Sequence, residues 1–154
     1  MKKILTWAGI AILTLFVLIQ FYRPDRTNPP TDPSRTLSAL VSVPPEISLM
    51  LKRSCGDCHS HDTRWPWYSN VAPVSWLVAS DVNEARKHLN LSDFAQYQSL
   101  RAIGKLDAMC ENMEDGIMPL PNYLIMHPDA KLSQDDIKRF RSWVDSVADS
   151  LAGE

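Results

Sequence analysis

The chain has 154 residues, 45% hydrophobic and 22% charged, with a formal net charge of −2. That length holds one small domain plus short extra segments, and the near-neutral balance excludes the strongly basic surface that nucleic-acid binding needs. Three cysteines are too few for a disulfide framework, and eleven prolines against five glycines is an unusual ratio.

Lys2 and Lys3 precede 19 uncharged residues, Ile4 to Tyr22. As a helix this run is about 28 Å long, close to the hydrocarbon thickness of a bilayer. Trp7 near one end, and Phe21 and Tyr22 at the other, sit where interfacial aromatics belong. A cleaved signal peptide is the rival reading. The run is longer than a typical signal core, and Phe21-Tyr22-Arg23-Pro24 is a poor cleavage context. Residues 1–22 are therefore read as a retained, single-pass transmembrane signal-anchor. Lys2 and Lys3 on one side, against Arg23 and Arg26 with Asp25 on the other, lean towards a cytoplasmic N-terminus.

Residues 23–45 carry six of the eleven prolines, with Thr, Asn, Asp and Ser between them. This composition predicts an extended, semi-rigid tether that lifts a domain off the membrane. Within it, Leu37, Leu40, Val41 and Val43 either pack back on the domain or form a short strand-like piece.

The domain itself is expected over 46–152. Ile47, Met50 and Leu51 share a face at i, i+3 and i+4, predicting a short helix that begins near Pro45. It runs into Cys55-Gly56-Asp57-Cys58-His59, the Cys-x-x-Cys-His spacing of covalent haem attachment. Two thiols on one helical turn face the same way and can form thioethers with the two vinyl groups of one haem. His59 then reaches the iron as proximal ligand. The competing readings are a redox Cys-x-x-Cys pair and half of a zinc site. The first needs a βαβ context that the sequence lacks. The second needs four ligands, and the remaining cysteine, Cys110, stands alone. Cys110 is expected to be buried and inert.

An aromatic loop follows, Trp65-Pro66-Trp67-Tyr68, expected to pack on the core or the haem rather than to form an exposed docking patch. A second helix is predicted over 74–88, with Trp76, Leu77, Ser80 and Glu84 on successive turns. Ser92 or Asp93 can cap a further turn. A third helix runs from Tyr97 to Asp115, with Leu100, Ile103, Leu106 and Met113 apolar and Gly116 ending it. Met118-Pro119-Leu120-Pro121 cannot continue as regular helix. Ser133 with Asp136 resembles a capping box. The last helix carries Ile137, Phe140, Val144, Val147 and Leu151 on one stripe and ends at Gly153. No strand alternation appears, so the class is all-α.

A haem iron held by one histidine has a second face. The candidate ligands there are Met118, Met126, Met113, His127, His61 and His88. Met118 ranks first, because it follows a helix-ending glycine and sits in a proline-stiffened loop before the last helix. His127 precedes Pro128 and suits a turn equally well. His61 is too near His59 in the chain to reach across the ring, and His88 can serve the carbonyls at a helix end. Bis-histidine ligation would lower the reduction potential relative to His/Met.

The runs LKRSCGDCHSHDTRWPWYSNVAPVSWLVASDVNEARKHLN and DGIMPLPNYLIMHPDAKLSQDDIKRFRSW resemble the bacterial haem-binding domain family of membrane-anchored, c-type cytochrome-like proteins. The resemblance covers about residues 45 to 145. It rests on Cys55-x-x-Cys58-His59, Thr63-Arg64-Trp65-Pro66-Trp67-Tyr68, Pro73-Val74-Ser75-Trp76, Met118-Pro119 and His127-Pro128. It implies covalent haem c, a helical cytochrome-like fold and a domain on the periplasmic face of the bacterial inner membrane. It names no physiological reaction, and Cys110 lies outside its pattern.

The expected function is a monohaem cytochrome passing single electrons between periplasmic or membrane redox proteins, without an enzymatic activity of its own. Haem binding would use Cys55, Cys58, His59 and Met118, with His59 and Met118 on the iron. A haem sensor with an open sixth site is the alternative. About 20 residues in or before the membrane leave no room for a cytoplasmic output domain, which disfavours it. A peroxidase using His61 and Arg64 is the weakest reading. Without Lys2 and Lys3 the net charge is about −4, and haem carboxylates add to it, which favours a positively charged partner surface.

Overall fold

The computed structural model describes residues 1–152. Eight α-helices and four 3-10 turns, with no strand, make up the regular structure among the described residues. The class is all-α, as the hydrophobic spacing predicts.

Helix α1, Lys2–Ile19, is long and apolar enough to cross a membrane and buries none of its residues in the domain. A signal sequence passes the same test of length and composition. Its last turn is fastened to the domain. Gln20 donates from Nε2 to the Ala72 carbonyl at 3.1 Å and accepts the Ala72 N–H at 2.9 Å. Trp76 donates its indole N–H to the Tyr22 carbonyl at 2.9 Å, and the two rings meet edge to face.

Residues 23–45 lie along the domain instead of standing off it. Arg26 donates to the Ser69 carbonyl and to Asn70 Oδ1, and the Asn28 amide donates to the Thr63 carbonyl. A 3-10 turn at Pro33–Arg35 and a short helix α2, Leu37–Leu40, follow. Leu37 is buried in the core, and Leu40, Val41 and Val43 pack against it. The proline-rich composition masks this, because each contact is made by an isolated polar or apolar side chain. A domain this small gains from any extra apolar surface that it can bury.

Helix α3, Pro45–Ser54, starts on a proline at its first position, has Glu46 in its first turn and Lys52 and Arg53 in its last. All three suit the helix dipole and its unpaired ends. Its buried residues Ile47, Met50, Leu51 and Ser54 fall on one face. The chain breaks helix at Cys55 and makes one further turn, α4, Gly56–His59.

Helix α5, Val74–His88, has the predicted bounds but a different buried face. Ser75, Ala79 and Val82 are buried, while Leu77 is 52% exposed and Ser80 is exposed too. Small side chains on the inner face let α4 approach closely, and that packing outweighs the burial of Leu77. Asn90, rather than Ser92 or Asp93, caps the next turn, Leu91–Gln96, by accepting the Ser92 N–H.

The core lies mainly between α6, Ser99–Glu114, and α8, Gln134–Ala152. Leu106 from α6 meets Phe140 and Val144 from α8, all fully buried. Each such side chain contributes about 1.5–3 kcal/mol relative to an exposed one. Leu100, expected on the apolar stripe, is exposed at the start of α6. Arg141 ties the two helices on their outer side, to Glu114 at 3.0 Å and Asp107 at 3.3 Å. Cys110 is 1% exposed in this core, the buried small hydrophobe expected of it. The helix stop expected at Gly153 lies outside the described residues.

Between these helices lie α7, Pro121–Met126, and the turn Pro128–Ala130. Ser133 and Asp136 form the capping box of α8: the Ser133 hydroxyl accepts the Asp136 N–H at 3.1 Å, and Asp136 Oδ2 accepts the Ser133 N–H at 3.0 Å.

Candidate haem cavity

A cavity of about 440 Å³ opens between α4, α5, α6 and the segment 118–123. That volume is typical of a small-molecule or cofactor pocket. Cys55, Cys58, His59 and Met118 all line it, so the four residues singled out from sequence come together at one place.

The first three are positioned by the α4 turn. Its N–H groups at Cys58 and His59 both bond back to the Cys55 carbonyl, at 3.2 and 2.9 Å. Two thiols three residues apart therefore share a side. Both are free and half-buried. Burial in this apolar wall pushes the Cys55 thiol up to about 12 and the Cys58 thiol up to about 11. Each is a neutral thiol near pH 7 rather than a metal-ready thiolate.

His59 is oriented by α5. Its Nδ1 lies 3.0 Å from the Leu89 carbonyl and 3.2 Å from the Ala85 carbonyl. Two acceptors require Nδ1 to carry the hydrogen, so Nε2 is the basic nitrogen. Nε2 has no hydrogen-bond partner among the described residues. Burial lowers the pKa of this imidazole, which keeps it neutral. A neutral imidazole with one nitrogen tied to a backbone carbonyl is the form in which histidine binds a metal.

Met118 is positioned by the end of α6. Gly116 takes φ +68°. The Ile117 N–H bonds to the Asn112 carbonyl at 2.9 Å and the Gly116 N–H to the Met113 carbonyl at 3.2 Å, a Schellman motif. The Met118 N–H also reaches the Asn112 carbonyl, at 3.0 Å. Met118 is thus held one residue past a rigid helix stop, half-buried against the cavity.

The other candidate ligands divide. Met113 and His88 line the cavity, as does Met109. His61, His127 and Met126 do not. His61 bonds to Asn90 and sits 3.6 Å from Asp93. His127 accepts or donates at Nε2 with the Tyr68 hydroxyl at 2.8 Å and stacks on Tyr123 at 4.2 Å. Met126 is 49% exposed. Arg64, paired in sequence with His61 as a conceivable peroxide site, is engaged elsewhere.

Its partner is Asp57, which sequence reasoning passed over. The Arg64 guanidinium meets both carboxylate oxygens, at 3.1 and 3.2 Å, and the Tyr123 hydroxyl donates to Oδ2 at 2.8 Å. Burial, reinforced by this contact, raises the Tyr123 pKa, so the phenol stays protonated. Asp57, Arg64, Tyr123, His127 and Tyr68 form one network around the attachment turn. The signal in the sequence was an aspartate inside an otherwise apolar turn, with an arginine seven residues on. Trp67 is 72% exposed, contrary to the expectation of packing, because Tyr68 takes the inward position beside it.

The residues present fit haem: one neutral imidazole with a free Nε2, a thioether, two thiols on one side and an otherwise largely apolar wall. No group of three or more His, Cys, Asp or Glu suited to binding a metal ion occurs among the described residues, which disfavours the zinc reading. Nothing among curated proteins and nothing among solved structures matches the chain. The family model described as the haem-binding domain matches residues 14–146, most of the chain, and the protein belongs to the haem-binding domain family.

Proposed function

We propose that this haem-binding protein is a membrane-anchored, periplasmic monohaem c-type cytochrome that carries single electrons between redox partners. The observation that carries the reading is that Cys55, Cys58, His59 and Met118 line one cavity. Cys55 and Cys58 would hold the haem covalently, each thiol adding across one vinyl group so that sulfur bonds to one carbon and the thiol proton goes to the other. When bound, haem supplies an iron that gains or loses one electron. His59 would hold the iron through Nε2, with the Leu89 carbonyl keeping its ring in place. Met118 would hold it through its thioether, which would leave no open site for substrate and favours electron transfer over catalysis or gas sensing. The single apolar helix supports a membrane anchor, and attachment of haem c outside the cytoplasm supports a periplasmic domain.

The test is the absorption spectrum of the purified holoprotein, oxidised and reduced, beside Met118→Ala. His/Met ligation gives a long-wavelength sulfur-to-iron charge-transfer band in the oxidised form that the variant loses. A high-spin spectrum that shifts with carbon monoxide would replace the electron-carrier reading with a ligand-binding one. Acid-acetone extraction should leave haem on the chain. Release of haem from the unaltered protein would overturn covalent attachment.

A further inference from the structure

The cavity is uneven in charge. Asp57, Asp81 and Glu84 all line it, and Asp57 is already neutralised by Arg64 and Tyr123. Asp81 and Glu84 belong to the α5 wall, three residues apart. Burial raises the pKa of Asp81, the mark of a carboxylate without a cation beside it. Against these acids the lining holds a single Lys or Arg, Lys105 of α6. Its ammonium donates to the carbonyl of His88, the last residue of α5, and lies 5.9 Å from the Tyr97 ring centroid. The side chain is half-buried and held at the cavity edge by these contacts, and an ammonium has three donors, of which His88 uses one.

Haem carries two carboxylates. An acidic stretch of α5 repels them, and the attachment turn at Cys55 and Cys58 takes the vinyl side. Among the lining residues, Lys105 is where positive charge is available. On the reading that this cavity binds the haem, we propose that Lys105 pairs with a haem carboxylate.

A cation there disfavours the more positive oxidised haem, so it raises the reduction potential. It also holds the carboxylate ionised. Removing it lowers the potential and raises the carboxylate pKa towards neutrality, so that the potential becomes more dependent on pH in the mildly acidic to neutral range.

The experiment is spectroelectrochemical titration of the intact holoprotein and of Lys105→Met, Lys105→Gln and Lys105→Arg across that pH range. Lys138→Met serves as a control that removes the same charge from an exposed site on α8 outside the cavity. The expected result is a potential lower by about threefold in the reduction equilibrium constant in Lys105→Met and Lys105→Gln, on the order of 30 mV at 59 mV per decade. Lys105→Arg should restore it, and the haem carboxylate bending band in the resonance Raman spectrum should move in the first two variants only. Unchanged potential and pH profile in haem-loaded Lys105→Met would overturn the pairing, as would an equal shift in Lys138→Met. Absence of haem from the unaltered protein would overturn the haem reading itself, a separate outcome.

Discussion

The Tyr123 hydroxyl lies 2.8 Å from Oδ2 of Asp57, one of the two residues between Cys55 and Cys58 in α4. That bond joins α7 to α4 and helps satisfy a carboxylate that is 8% exposed. A hydrogen bond to a charged group contributes about 1.5–3 kcal/mol, and its loss leaves Asp57 with Arg64 and backbone. Tyr123→Phe should therefore lower stability by about 1.5 kcal/mol in urea denaturation while retaining haem. Asp57→Asn should cost more, because Arg64 loses its partner as well. A Tyr123→Phe midpoint equal to that of the unaltered protein would show the bond to be idle.

Gly116 is the hinge on which Met118 depends. An alanine at φ +68° costs about 1 kcal/mol in backbone strain, although no atom lies within 4 Å of where its Cβ would sit. Gly116→Ala should lower stability by that amount and weaken the sulfur-to-iron band without abolishing it. Gly104→Ala, at a helical position with the same open space, should leave the band intact and raise stability slightly.

The buried thiols give a pH dependence with a definite sign. Cys55 is raised to about 12 and Cys58 to about 11 from an ordinary 9.0, so the folded chain keeps protons that the unfolded chain releases. Folding stability is fully present below the ordinary value and falls as pH rises above it, by about 1 kcal/mol per thiol between about pH 9 and 10. Urea midpoints of the haem-free protein should show this loss. In the holoprotein, where the proposal places both sulfurs in thioethers, the part due to Cys55 and Cys58 should vanish, leaving that of Cys110.

Asp136 titrates in the opposite sense. The Ser133 backbone N–H, with further bonds from the Ser133 hydroxyl and Arg53, holds its carboxyl below the ordinary 3.8. Its contribution is complete above that ordinary value and is lost as pH falls through the lower folded value. Asp136→Asn should cost about 1 kcal/mol at neutral pH and progressively less as pH falls below the ordinary carboxylate value, read by thermal unfolding across a series of acid pH values.

The helical turn that carries Cys58 and His59, the Gly116 stop and the Ser133 cap were legible in the sequence because each is a short-range device whose partners lie within a few residues. The bounds of α5 were legible for the same reason. Its buried face was not. Trp76 and Leu77 are the large apolar residues there, yet Ser75 and Ala79 face inward, a choice made by how closely α4 must approach. Asp57 was hidden for a related reason: its partners Arg64 and Tyr123 are 7 and 66 residues away, and only the fold brings the second one near. The packing of Leu37 on the core was one of two readings its sequence left open, because that contact too is non-local.

The clasp between Gln20 and Ala72, with Trp76 bound at Tyr22, sets how the proposed carrier meets its partners. A domain on a loose leash samples a hemisphere of heights and orientations above the bilayer. Here the domain is clamped at the end of the proposed anchor, so it would turn and drift with α1 as one body. Encounters then become a search in the plane of the membrane at a fixed elevation. Partners must present their redox centres at that elevation, and a flexible insert between Gln20 and Arg26 should broaden the choice of partner at the expense of speed with the native one.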